Sequence, residues 1–370
     1  MNFKFIRHTF FSFAASGLNY LFLLLCAKKL GPDAFSLFNQ KWANLSFFLF
    51  LGTLSHFIVC MNVFSYQKEN KARNTLLVTG LMFIGLYYLT DLTLLFYLSI
   101  LFVSISQSIM FGSLIKRGLT DQLGLIFLLS SLVKCSVFFF LDITHEEPVF
   151  LALLVSSSLA TLLGIFFFKT DESKSIEDGQ VLVSSLLGAL ILAVYTNFFP
   201  VHDVIWGNLF FSQARPEFIS ALSVVTRVVF FVQLIIVQWG FSDSTFTFEK
   251  KKIFYPSMFF VSVLLSFGSY LFLESFLGWK GLPSIWFYLI SSVSAGLMAL
   301  HFSLITSLVR LGRMKETLIL VILFLVFWIF TGIASIEFST FMKINLLAHF
   351  LCCVVAIYFK FYKVKNEEYK

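Results

Sequence analysis

Charge is what this 370-residue chain has least of. Asp, Glu, Lys and Arg make up 13% of it, against 58% hydrophobic residues. A soluble domain needs more polar surface than that. No polar connector exceeds about 15 residues, which leaves no room for a catalytic domain outside the apolar runs or for the long external loop of a glycan polymerase or ligase. A Gly-rich phosphate loop is missing, so ATP hydrolysis is excluded. No Ser/His/Asp or Cys/His set lies outside the apolar runs, and no carboxylate pair sits as in a glycosidase. The chain is therefore expected not to be an enzyme and to need no cofactor. Its five cysteines, Cys26, Cys60, Cys135, Cys352 and Cys353, fall inside apolar runs without metal-ligand spacing and read as packing residues. The net charge of +7 is spread over short connectors, not gathered in a patch, so no nucleic-acid partner is expected.

What is abundant is apolar sequence in blocks of 18–26 residues. At 1.5 Å per residue each crosses a ~30 Å hydrocarbon layer as a helix. An outer-membrane barrel is excluded, because its short alternating strands would not read as continuous blocks. The 51 phenylalanines suit lipid-facing surface and core filling. The first block follows MNFKFIRH without a small-residue cleavage site and reads as a retained span. Cutting at charged and turn-rich connectors predicts twelve spans. They fall near 9–27, 43–64, 74–90, 93–114, 122–141 and 149–168, then near 183–211, 217–241, 253–277, 283–309, 316–336 and 340–361. Of the 27 Lys and Arg residues, 19 fall on one side of this layout and six on the other, with Lys134 and Arg227 inside spans. Basic residues mark the cytoplasmic side, so both termini are expected there.

The chain also repeats itself. LGPDAFSLFNQKWANL at 30–45 has a blurred copy, SQARPEFISALSVVTR, at 212–227. At an offset of 184 residues Pro32 falls on Pro216, Asp33 on Glu217 and Asn19 on Asp203. A second echo pairs SLIKRG (113–118) with SLVRLG (307–312). Six spans per half is an even number, so both halves enter the bilayer from the same side. The expected fold is an all-α polytopic membrane protein with twelve transmembrane helices in two parallel six-helix repeats, residues 1–179 and 180–370. Two lobes that rock about a cleft suggest a transporter; the bland alternative is a scaffold enlarged by duplication.

The run NYLFLLLCAKKLGPDAFSLFNQ resembles the first-span signature of the polysaccharide and O-antigen flippases of the MOP exporter superfamily: an apolar helix, a Leu-Gly-Pro-acid turn, then an aromatic-Gly-aromatic step. HDVIWGNLFFSQARPEFISALSVVTRVVFF is similar to that family's seventh and eighth spans, with an Asp in one helix and an Arg in the next. Ser36 stands where the family has Gly, and 370 residues is shorter than its usual length. The resemblance implies a flippase in a bacterial cytoplasmic (inner) membrane. It would move a polyprenyl-diphosphate-linked oligosaccharide to the periplasmic leaflet by alternating access. The partners implied are that lipid-linked oligosaccharide, membrane lipids, and a coupling proton or cation. A cation-coupled small-molecule exporter of the same superfamily is the alternative.

A charge inside a span costs several kcal/mol unless a wet cavity or a partner meets it. Arg227 is the sharpest candidate, about 16 Å of helix beyond Pro216 and near the midplane. Ser220, Ser223 and Arg227 share one helix face, and a guanidinium fork there suits a diphosphate. The competing reading is a structural ion pair with Asp203. Asp203, beside His202 and just after the helix-kinking Pro200, is either a coupling site or that counter-ion. Lys134 lies mid-span, one turn from Ser130, and is expected to face a cavity. Lys41 at the mouth of span 2, with Asn44 deeper, either attracts the anionic headgroup or anchors the outer interface. Asn19 is expected to bond a neighbouring helix. The orientation is checked by reporter fusions: alkaline phosphatase fused at residue 174 should be inactive, and fused at residue 280 active.

Overall fold

Backbone in hydrocarbon has no water to bond, so a spanning chain must satisfy its own N–H and C=O groups. The computed structural model describes residues 3–61, 66–90, 92–141, 147–167, 183–198, 219–228, 254–278, 284–334 and 337–367, and among them there are helices and no strands. In chain order these are α1 (Phe3–Cys60), α2 (Tyr66–Thr90), α3 (Thr93–Lys116), α4 (Thr120–Phe140), α5 (Glu147–Phe167) and α6 (Val183–Phe198). There follow α7 (Ile219–Val228), α8 (Phe254–Leu277), α9 (Ile285–Arg310), α10 (Met314–Ala334) and α11 (Phe338–Glu367). Among the described residues seven helices are long and apolar enough to cross a membrane. The protein is an all-helical, multi-pass membrane protein. On α10, Leu318, Ile322, Leu325, Ile329 and Ile333 form an exposed apolar stripe at helical spacing, which suits contact with lipid.

The Leu-Gly-Pro-acid stretch was expected to be a loop between spans 1 and 2. It is a kink instead. α1 continues through it, broken only at Gly31, whose φ of 73° and ψ of 174° glycine adopts without penalty. Pro32 follows at the start of the second helical segment, where its fixed φ suits helix and its missing N–H costs nothing. Span 2 therefore begins about ten residues earlier than expected.

The chain divides into two compact units. The first comprises residues 1–30, 44–197 and 241–243, and the second 31–43, 198–240 and 244–370. In the first, α3 packs on α2 and α5, and α4 packs on α5. In the second, α9 packs on α8 and α11, and nearly every side chain from Ser291 to Val309 is buried.

The echo SLIKRG/SLVRLG proves to be one capping device used twice. Gly118 and Gly312 each have φ of 70°. The N–H of Leu119 reaches the carbonyl of Leu114, and that of Arg313 the carbonyl of Leu308, both close to 3.0 Å. Such bonds satisfy the last carbonyls of α3 and α9. α4 and α10, which follow, are both 21 residues long.

Polar contacts tie the basic helix ends together within each unit. In the first, Lys116 lies 2.8 Å from the buried Glu69, Ser113 Oγ donates to Glu69 at 2.9 Å, and Arg7 lies 3.9 Å from Asp121. In the second, Lys360 donates to Ser307 Oγ at 2.6 Å and Arg313 to the Phe359 carbonyl at 2.9 Å. All these cations belong to the basic side of the predicted layout. A miscounted span would have put them at opposite ends. At Gly31 a Cβ would meet nothing within 4 Å, so only backbone strain opposes it. Gly31→Ala should cost ~1–3 kcal/mol and lower the thermal midpoint of the purified protein by a few degrees.

Candidate functional site

Two basic side chains were expected inside spans, and each unit holds one. In the second unit α7 carries Ser220, Ser223 and Arg227 on one buried face, as their spacing required; Arg227 is 7% exposed. Its Nη1 donates to Asn39 Oδ1 at 2.9 Å. Asn39 is there because the helix resuming after Gly31 turns Phe35, Phe38, Asn39 and Trp42 to one side at i, i+3, i+4 and i+7. Phe35 and Asn39 are fully buried, and Trp42 and Ala43 pack against Ile219 and Phe338. Since the Asn39 carbonyl accepts the arginine, its amide presents donors. That Nδ2 and the Ser223 hydroxyl are buried without a hydrogen-bond partner among the described residues. The guanidinium, the Asn39 amide N–H and the Ser223 hydroxyl are all hydrogen-bond donors.

In the first unit Lys134 on α4 donates to Asn19 Oδ1 on α1, and its Nζ lies 4.9 Å from the Phe22 ring centre. Asn19 does bond a neighbouring helix, and the residue it bonds is the other candidate cation. Ser130, expected beside Lys134, donates back to its own helix at the Phe127 carbonyl. Among the described residues Lys134 has no acidic partner within ion-pair distance.

Of the other predicted residues only Lys41 and Asn44 are described. Lys41 is half-buried on the segment after the kink, while Asn44, read as its deeper companion, is exposed. Asp203 and His202 lie outside the described residues. Sequence reading passed over Asn39 because it is uncharged; the signal was a polar residue in register with the buried Phe35. The cysteines are free, and four of the five are buried. Among the described residues no group of three or more His, Cys, Asp or Glu side chains is arranged to hold a metal.

No family model matches the chain, and no curated protein does. Solved structures do match. An outward-facing multidrug resistance MATE family transporter of the MOP superfamily aligns with a TM-score of 0.54 at 11% identity, covering 99% of this chain and 96% of its own. A MATE crystallised in complex with Br-NRF gives 0.59 at 12% identity, covering 98% and 96%. A MOP superfamily transporter from Pyrococcus furiosus, described by the reverse polarity of its binding pocket, gives 0.58 at 12% identity over 98% and 95%. The chain thus has, end to end, the fold of MATE transporters of the MOP superfamily.

Replacing Asn39 by Leu removes the acceptor from a buried guanidinium and should cost ~1–3 kcal/mol. Asn39→Asp should retain the partner as an ion pair. Thermal unfolding of the two variants checks the contrast.

Proposed function

We propose that this protein is a transporter working by alternating access, and that it flips a polyprenyl-diphosphate-linked oligosaccharide, an O-antigen or other surface polysaccharide unit, from the cytoplasmic to the periplasmic leaflet of a bacterial inner membrane. Residues 1–179 and 180–370 are the two repeat halves of this scheme. The observation that carries it is the sign of the half-buried mid-span charge in the first unit: Lys134 rests on an amide and a ring, with no carboxylate paired to it among the described residues. Sites so built favour an anionic cargo and repel a cationic one. A guanidinium offers a diphosphate paired donors, which adds geometry to charge. The end-to-end fold likeness to transporters supports movement across the membrane. The first-span and eighth-span motifs support the lipid-linked glycan as cargo. Lys41 would draw the headgroup toward the site. Asp203, with His202, would bind a coupling proton or cation or balance Arg227.

A second reading is a cation-coupled exporter of small molecules, favoured by the likeness to a multidrug resistance transporter. The two differ in cargo. Arg227→Ala should abolish surface glycan while the protein still inserts and accumulates in the membrane. Normal glycan in that variant, together with drug sensitivity in a deletion strain, would favour the exporter.

A further inference from the structure

Lys29 is one of the six basic residues on the less basic side of the predicted layout. Its Nζ lies 4.6 Å from the centre of the Phe138 ring, and Phe138 is fully buried. Phe138 meets Phe22 edge to face, with ring centres 5.4 Å apart, and Phe22 is the ring on which Lys134 rests.

The register explains the assembly. Asn19, Phe22, Cys26 and Lys29 recur at i, i+3, i+7 and i+10 and line one face of α1. Lys134, Cys135 and Phe138 line one face of α4. Asn19 pairs with Lys134, Leu18 with Cys135, and Phe22 with Phe138, so residue numbers rise together and the two helices run parallel. Phe138 thus sits level with Phe22, about 10 Å of helix below the Lys29 backbone. Helical side chains tilt toward their N-terminus. Lys29 follows that tilt, which brings its ammonium over the Phe138 ring.

Two like charges are therefore brought to one aromatic pair, and among the described residues no carboxylate pairs with either. Ring faces offset part of that cost, by roughly 0.5–2 kcal/mol per cation. An anion would offset far more. We propose that Lys29 and Lys134 form a two-ammonium site for a phosphate-class anion, with Phe22 and Phe138 as its floor, and that its ligand is the diphosphate of the transported lipid. The identity of the ligand rests on the flippase reading above; the anion site does not.

The test uses the full chain in phosphatidylcholine nanodiscs, titrated calorimetrically with inorganic pyrophosphate, farnesyl diphosphate and glycerol phosphate. Lys29→Gln and Lys134→Gln should each weaken pyrophosphate binding at least tenfold, since each removes a charge-assisted contact. Lys29→Arg should stay within threefold of the parent, and the double variant should lose less than the product of the single losses. Lys29 is exposed, so Lys29→Gln keeps the fold even where Lys134→Gln does not. Unchanged pyrophosphate binding in Lys29→Gln overturns the site and leaves Lys29 a cap on Phe138. Farnesyl diphosphate binding more tightly than pyrophosphate supports the lipid diphosphate. Equal or weaker binding overturns that assignment in favour of a free anion, and preference for glycerol phosphate overturns it in favour of a phospholipid headgroup. The flippase reading fails by its own measurement, normal glycan in Arg227→Ala, whatever these titrations give.

Discussion

A basic group carried into hydrocarbon has to be met by a polar group from another helix, and the interior of each unit is organised by that requirement. Leaving such a group unmet costs several kcal/mol, comparable to a large part of a domain's net stability. Asn39 meets Arg227 in the second unit, and Asn19 meets Lys134 in the first. Both partners are asparagines on α1, one on each side of the kink at Gly31. An amide oxygen beside a cation solvates the charge without cancelling it.

The contrast with the helix ends makes the point. There Lys116 meets Glu69 at 2.8 Å, and the pair is neutral. Mid-span, Lys134 meets an amide and a ring instead. A fold shared with transporters whose identity to this chain is only 11–12% does not dictate what passes through it.

Much of this was legible in the residues. Apolar block length dictated helices, since hydrocarbon leaves a chain little other choice. The tally of Lys and Arg set which helix ends belong together, and the contacts of Lys116, Arg7, Lys360 and Arg313 agree with it. The repeat of Ser, Leu and Gly in SLIKRG and SLVRLG pointed to a real device, because a left-handed cap demands glycine at one position. Ser220, Ser223 and Arg227 share a face because helical spacing leaves no alternative. Less legible was LGPDAF. Gly and Pro together mark either a loop or a kink, and only packing on both sides kept the helix going.

Sequence alone determined the class of the molecule, its helices and the two cations carried mid-span, because these follow from transfer energies and periodicity along one chain. Tertiary structure decided who meets those cations. Asn39 is 188 residues from Arg227 and Asn19 is 115 from Lys134. It also decided that the Lys29 ammonium lies over a buried ring. Such choices are made by the register of one helix on another, a relation between distant parts of the chain that no local pattern encodes.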